Sequence, residues 1–491
     1  MKNPLVLALD IGTSSVRAAL YDERANRLDE TFVKNERTVN FTDEGGAEIE
    51  AEVALGQVEQ AIADVLAKAG DLSGQIEFAA ASCFWHSLVG VDTDGKALTP
   101  IFTWADKRSA KYVDVLRENF DENATHNRTG CRFHPSYWTA KLLHLKNEQP
   151  EIFAKTAKWL TFADFYALRF FGAAATSVSS ASGTGIFDVR KLDWDDRLLD
   201  FLGIKPEQLP RIADDTETFT LNDVSGNRLP NLAKTKWFLA IGDGAANNVG
   251  ANCVEKTRAA LMIGTSGAMR VIYEGEPPAE IPPGLWCYRL DKRRVIIGGA
   301  LSDGGGLYRW LKDSFKFDGT DDELETEIAK MSPDAHGLTV LPFWSGERST
   351  NWNAAATGAI LGLTQHTTTL EIMQAVLESV AYRFAAIFEQ LCGGICQLEE
   401  IVASGGALRE SPLWTQIIAD ALNKTLTLPD VREASSRGAV LLALEAAGKI
   451  KSLDEFPTPE GQIFTPDAAR HGIYKLAKER QEKFYQVILN Q

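Results

Sequence analysis

The sequence predicts an α/β protein folded as two similar lobes, and three observations carry that prediction. Residues 11–21, IGTSSVRAALY, return as IGTSGAMRVIY at 263–273, an offset of 252 (263 − 11) in a chain of 491 residues. In both copies an apolar strand runs into Gly-Thr-Ser and a second strand leaves it, so duplication explains the match better than chance. The second half then alternates helical and strand patterns, as α/β domains do. Length alone allows two large domains or three smaller ones at about 100–200 residues each. The repeat selects two, 1–250 and 251–491.

The elements follow from local patterns. Leu5–Leu9 reads as a strand, Gly12–Ser15 as a turn and Val16–Tyr21 as a second strand; Asp22–Asn26 turn the chain toward a third apolar segment. This is a β-meander, unlike the strand–loop–helix opening of a dinucleotide-binding unit. Val53, Leu55, Val58, Ile62, Val65, Leu66 and Ala69 recur at helical spacing, and Gly70 is placed to end that helix. Ile76–Ser82 is a short buried strand. Leu88–Val91 and Ala97–Phe102 flank Asp92-Thr93-Asp94-Gly95, a hairpin signal. Farther on, Thr368 and Glu371 form a capping box that opens a helix through Leu391, burying Met373, Val376, Val380, Phe384, Ile387 and Leu391. A strand (Glu400–Ala403), Ser404-Gly405-Gly406, a helix opened by Ser411-Pro412, a strand (Thr425–Leu428) and a helix ending at Gly448 complete the pattern.

Composition excludes several classes. Apolar residues make up 45% and charged residues 24%, enough for each domain to bury its own core. The 51 Lys+Arg against 67 Asp+Glu leave a net charge of −16, which argues against nucleic acid and anionic membranes as partners. An anionic substrate would need positive charge concentrated at its site. Six scattered cysteines are too few for a disulfide framework, and no His/Cys spacing suits a transition metal. The N-terminal apolar run is too short for a signal peptide, and no run reaches the ~18 residues of a membrane span. A cytoplasmic, reduced protein is expected.

Five Gly-rich turns are candidate phosphate sites: Gly12-Thr13-Ser14-Ser15, Gly242-Asp243-Gly244, Gly264-Thr265-Ser266-Gly267, Gly298–Gly306 and Gly405-Gly406. Backbone N–H groups and hydroxyls at such turns suit phosphate oxygens. Any one of them is an ordinary turn on its own. Together, with two related by the repeat, they point to a polyphosphate held between lobes. Neither a P-loop nor a dinucleotide fingerprint is present. Asp10 and Asp243 each stand where a strand meets a Gly turn, placed to hold hydrated Mg²⁺ or to take a proton from an attacking hydroxyl. Each would equally serve as a turn residue. Asp10, Gly12-Thr13-Ser14 and Arg17 bring carboxylate, hydroxyls and guanidinium to one turn.

Asp10-Ile-Gly-Thr-Ser-Ser-Val-Arg17, Trp104-Ala-Asp-Lys-Arg108, Gly242-Asp-Gly-Ala-Ala-Asn-Asn-Val-Gly250, Gly264-Thr-Ser-Gly267, Gly346-Glu-Arg-Ser349 and Ser404-Gly-Gly-Ala407 together resemble the FGGY family of carbohydrate kinases, in the family's order. The resemblance implies two ribonuclease-H-like domains of the actin/hexokinase/Hsp70 superfamily with a cleft between them. It implies ATP and Mg²⁺ as cofactors and Asp243 as the base that deprotonates the sugar hydroxyl. By the same resemblance Asp10 and Asp243 lie near the metal. Gly12, Thr13, Ser14, Ser15 and Arg17 meet the β- and γ-phosphates, and Gly264 and Thr265 are their partners in the second domain. Gly305, Gly405 and Gly406 belong to turns around the rest of the nucleotide. Trp85 and His86, and the segment Trp104, Asp106 and Arg108, match sugar-binding positions. The partner implied is a small sugar or sugar acid, with a homodimer the only protein assembly expected.

Within the family, GTSGAMRVIY, TWADKRS and GERSTNWN look most like gluconokinases. Gluconate is an acid, so a cation should face it. Arg270 is the first candidate because guanidinium holds a carboxylate by two parallel hydrogen bonds; Lys107, Arg108, Arg132, His134 and Arg348 are others. Phe84-Trp85-His86-Ser87 departs from the Met-His-Gly of the pentulose and gluconate groups, though it keeps the histidine. Trp85 reads equally as a packed aromatic or as a stacking surface for a sugar. A kinase for xylulose, another pentulose or a polyol is the alternative substrate reading. An actin- or Hsp70-like ATPase switch is the alternative outside kinases, and a sugar-binding sensor is a third.

Overall fold

The computed structural model describes residues 4–315, 317, 319–430, 433–456 and 460–489. The elements that build the site are, in order, β1 (Leu5–Ile11), β2 (Ser15–Tyr21), β3 (Val33–Glu36), α1 (Ala51–Ala69), β4 (Ile76–Cys83), α2 (Trp138–Glu148), β5 (Thr218–Phe219), β6 (Lys236–Phe238), β7 (Ile241–Gly242) and α3 (Asp243–Gly250). In the second half they are β8 (Arg258–Ile263), β9 (Gly267–Glu274), β10 (Trp286–Arg289), β11 (Arg294–Leu301), α4 (Gly305–Ser314), α5 (Thr369–Cys392), β12 (Glu400–Ser404), α6 (Pro412–Leu422), β13 (Leu426–Pro429), α7 (Ala434–Ala446), β14 (Gly461–Phe464) and α8 (Ala468–Leu489).

Two mixed sheets result. The first runs β5-β6-β4-β1-β2-β3, with β7 also paired to β4; the second runs β10-β11-β9-β8-β12-β13-β14. The repeat is visible in the pairing. β1 is antiparallel to β2 and parallel to β4, while β8 is antiparallel to β9 and parallel to β12. β4 continues parallel to β6, and β12 parallel to β13. These are two α/β domains of the actin/hexokinase-like kind.

Local chemistry explains the boundaries. Gly70, at φ +50°, terminates α1, and its apolar stripe enters the core except for Val53, which is 59% exposed. Thr368 and Glu371 form the expected capping box, and every residue assigned to the inner face of α5 is buried. The Asp92–Gly95 turn forms, with Asp92 N–H bonded to Lys96 O at 2.9 Å. Its flanks form the expected hairpin in broken form: Val91 bridges Ala97, Leu98 N–H donates to Gly90 O at 2.8 Å, and Leu88 bridges Phe102, while each flank also pairs with a further strand. Val89–Val91 pairs with Lys158–Leu160, and Ile101–Phe102 pairs with Ala47–Ile49. Pro100, lacking an N–H, interrupts the ladder between them. The Gly298–Gly306 run also divides in two. Gly298 and Gly299 lie inside β11, where a Cβ would strike Met269 O and Ile387, and Gly304 caps α4, which Gly305 and Gly306 open.

The lobes are not independent. α7, from the second half, packs on α3 and on β1 and β4 of the first sheet. Val6, Ala8, Phe78 and Ala80 share one apolar cluster with Ala439, Val440, Ala443 and Leu444. Gly250 and Gly438 permit the α3–α7 approach, since a Cβ on either would overlap a backbone carbonyl of the other helix.

Candidate active site

Sheet register builds the first half of the site. Asp10 lies opposite Arg17 on β2 and Ser82 on β4. Side chains of directly opposed residues share a sheet face, and both reach Asp10. Ser82 Oγ donates to its carboxylate at 2.6 Å and Arg17 Nη1 at 3.4 Å. Burial raises the Asp10 pKa, with Ser82 and then Arg17 opposing that rise. Arg17 Nη1 also reaches Glu433 at 3.3 Å, a residue at φ +63° that precedes α7. Beside this cluster the turn after β1 closes with Gly12 N–H on Ser15 O at 2.9 Å. The hydroxyls of Thr13, Ser14 and Thr265 make no hydrogen bond among the described residues, and Ser14 and Thr265 are exposed.

Loops of the second lobe converge on Thr265. Gly304 and Gly306 donate N–H groups to its carbonyl at 3.1 and 3.0 Å, and Gly305 donates to Gly264 O at 2.9 Å. A Cβ on Gly305 would meet Gly264 O and Ala407. Gly405, at φ +102°, lies so close over Ile263 that a Cβ would overlap its carbonyl. Gly264, Gly305, Gly405 and Gly406 therefore meet at one place. Bare backbone, free hydroxyls and the Arg17 guanidinium form a donor set suited to phosphate oxygens.

Asp243 opens α3, and its carboxylate accepts the N–H of Gly244 at 2.8 Å. Burial pushes its pKa up to about 6. Arg270 opposes that rise and the nearby Asp10 charge adds to it. Asp243 borders a cavity of about 90 Å³ that also touches Trp85, His86, Trp104, Arg270 and Arg348.

Two arginines enter this cavity without partners for all their donors. Arg270, on β9, is 8% exposed; its Nε and Nη1 are buried and unbonded. Burial lowers its pKa to about 10, with Asp243 opposing. Gly244 leaves room for it, since a Cβ there would press on the guanidinium. Arg348 lies 4.7 Å over the Trp104 ring and donates through Nη2 to Leu301 O at 2.8 Å, while its Nε is unbonded.

His86 sits at φ +67° with Nδ1 2.6 Å from Gly183 O. Burial pushes its pKa down to about 3, so the ring is neutral, Nδ1–H donates and Nε2 is left as an acceptor. Trp85 both packs and borders the cavity. Its Nε1 donates to Ser179 O at 2.9 Å, and its ring occupies the space a Gly242 side chain would need. Tyr137 and Tyr288, from different lobes, join hydroxyl to hydroxyl at 2.6 Å beside it.

Asp106 and Arg108 do not line the cavity. Arg108 is bonded to Asp106 at 2.5 Å and Glu48 at 2.8 Å, and Asp106 accepts Ala47 N–H at 3.0 Å. Their charges are spent in tying the 103–108 segment to the 47–48 strand. Arg132 is likewise paired with Glu122 at 3.1 Å. Burial drives the His134 pKa well below its ordinary value, so it brings no positive charge. Lys107 is exposed, with Asp303 nearby. Ser82, Glu433, Tyr137 and Tyr288 escaped sequence reasoning; only the β1–β4 register would have found Ser82.

Two other features lie apart. A cavity of about 360 Å³ between the lobes is lined by Phe238, Ile241, Leu290 and Leu442, with the paired charges Asp214–Lys292 at its rim. Asp334, His336 and Glu378 cluster, but Arg480 pairs with Asp334 while Gln374 and Tyr382 donate to Glu378.

Comparison with known proteins agrees with this geometry. The model of the FGGY carbohydrate kinase N-terminal domain matches residues 5–237, and that of the C-terminal domain matches 259–447. The chain belongs to the FGGY family of carbohydrate kinases and is a phosphotransferase with an alcohol group as acceptor. The gluconokinase of Bacillus subtilis (strain 168) is 30% identical over 472 residues, covering 91% of this chain and 89% of the relative. The crystal structure of gluconate kinase from Lactobacillus acidophilus superposes with a TM-score of 0.90 at 28% identity, covering 99% of this chain and 98% of that one. A ligand-bound xylulose kinase from the same organism gives 0.90 at 27% identity, with the same coverage. Family membership implies ATP as phosphoryl donor. No helix among the described residues is long and apolar enough to cross a membrane.

Proposed function

We propose that the protein phosphorylates a sugar acid, with gluconate the best candidate, using Mg²⁺-ATP. The observation that carries this reading is Arg270, a buried guanidinium with two unbonded donors in the cavity that Asp243 borders. A buried cation without a fixed carboxylate partner is costly, and an acidic substrate would supply that partner. Arg348, held over Trp104, would be the second arm. The resemblance to gluconokinases points the same way.

In this reading Asp243 accepts the proton of the acceptor hydroxyl, and a carboxylate whose pKa is about 6 is ionised at neutral pH yet basic enough for that task. Bound Mg²⁺-ATP supplies the γ-phosphoryl group and the metal that neutralises its charge. Asp10 would hold the metal, oriented by Ser82. Thr13, Ser14 and Arg17 from one lobe and Thr265 from the other would hold phosphate oxygens. Gly305, Gly405 and Gly406 would admit the remainder of the nucleotide to bare backbone. His86 offers Nε2 to a sugar hydroxyl, and Trp85 walls the pocket. The six cysteines are unpaired, which supports a reducing, cytoplasmic setting.

A panel of gluconate, D-xylulose, ribulose, rhamnulose and glycerol, run on wild type and Arg270→Met, tests the substrate. Gluconate should have the highest kcat/KM, and the variant should lose about 100-fold or more on gluconate, since a buried charge-assisted pair is removed. A neutral ketose that outcompetes gluconate on wild type would replace this reading with a pentulose kinase.

A further inference from the structure

Behind the cavity that Asp243 borders lies a further buried cation, which does not line it. Lys141, on α2, is 2% exposed and has no ion-pair partner among the described residues. Its Nζ donates to three backbone carbonyls: His86 O at 2.9 Å, Thr103 O at 2.8 Å and Ser136 O at 2.8 Å. An ammonium has three donors, and here all three are used.

Those carbonyls are placed with a pattern. His86 lines the cavity itself, Thr103 precedes Trp104, and Ser136 precedes Tyr137. The three segments are far apart in sequence and contribute three walls of one pocket. Further bonds cross-link them: Ser136 Oγ donates to Trp104 O at 2.7 Å, and the His86 ring is tied to Gly183. His86 also has a left-handed backbone, at φ +67°, a conformation that a β-carbon-bearing residue holds only when its surroundings impose it. The Lys141 bond to its carbonyl is one such constraint. Burial depresses the lysine pKa to about 7, against the Asp106 carboxylate, so the charge is kept at a cost. A methionine or leucine would fill the same volume without that cost.

We infer that Lys141 is a positioning residue of the acceptor pocket, its ammonium fixing the three loops that present His86, Trp104 and Tyr137 to the sugar. It touches neither sugar nor nucleotide, and it acts through the backbone of residues that do. This rests on the reading of the cavity as the acceptor site.

Lys141→Met, assayed with gluconate or with whichever acceptor the panel selects, tests it. The acceptor KM should rise tenfold or more while the KM for ATP stays within about twofold, because the Thr265 and Gly305 loops do not contact Lys141. Lys141→Arg keeps the charge, but a planar guanidinium cannot offer three donors from one nitrogen. It should show the same selective rise, smaller in size. An unchanged acceptor KM in both variants would overturn the inference, as would a parallel rise in both KM values. So would failure of both variants to fold, which would make Lys141 a support of the whole lobe. Arg270→Met run alongside separates the two claims. If it raises the acceptor KM and Lys141→Met does not, only the lysine inference fails; if neither does, the cavity is not the acceptor site.

Discussion

Asp10 and Met262 occupy the same position in the two copies of the strand–turn–strand unit, 252 residues apart (262 − 10), and each faces a serine on the neighbouring parallel strand. Ser82 donates to Asp10, whereas Ser404, opposite Met262, has a buried Oγ with no partner. The two turns share one pairing pattern, but only the first carries the carboxylate. If Asp10 holds the metal as proposed, its charge falls to the first lobe, while the second turn offers glycines and Thr265.

Removing the serine should be felt at the metal. Ser82→Ala takes away a charge-assisted hydrogen bond to a buried carboxylate, a loss of about 1.5–3 kcal/mol. Free Asp10 should then ionise less readily, and titrating Mg²⁺ in the kinase assay should show a requirement raised several-fold. ATP saturation at high Mg²⁺ should be nearly unchanged.

Acidification should act through Asp243. A base works deprotonated, so kcat/KM should fall about tenfold per pH unit below a midpoint near 6, the value to which burial raises this group. The native state binds this proton more tightly than the unfolded chain does. Its contribution to stability is present at low pH and is lost as pH rises through about 6, so it cannot itself drive acid unfolding. Rate should fall before far-ultraviolet circular dichroism changes. Asp243→Asn should lose about 10²–10⁴ in kcat and bind nucleotide within threefold of wild type, as calorimetry would report.

Arg17 is shared between Asp10 and Glu433, at 3.4 and 3.3 Å. Glu433→Gln removes one claim on the guanidinium and one negative charge beside the phosphate turn. The KM for ATP should fall about two- to threefold, with little change in the acceptor KM. Steady-state kinetics with each substrate varied separately would check it.

Much of this site is legible in the sequence because it depends on local turns. Gly-Thr-Ser after an apolar strand, Gly405-Gly406 at the end of another and Asp243 at a strand end all read from short segments. The fold is legible for a similar reason, since a repeat of strand, turn and strand carries its own pairing. What the sequence conceals is long-range. Tyr137 meets Tyr288 across 151 positions and Arg17 meets Glu433 across 416. Asp106 and Arg108 are assigned to the sugar through their resemblance to a family segment, yet they do not line the cavity. Their partners, Glu48 and the Ala47 N–H, come from a strand about 60 residues upstream. The Asp92–Gly95 hairpin is legible in its turn chemistry, but that chemistry does not reveal that its flanks also pair with Lys158–Leu160 and Ala47–Ile49.

The seating of α7 on β1 and β4 has a consequence for dissection of the molecule. Cutting the polypeptide near residue 250, the boundary the repeat suggests, is expected not to give two viable pieces. A fragment ending at Gly250 would bare Val6, Ala8, Phe78 and Ala80, the apolar face now sheltered by Ala439, Val440 and Leu444. It would also lose the glutamate that shares Arg17. The later half thus supplies a helix that roofs the core of the earlier one.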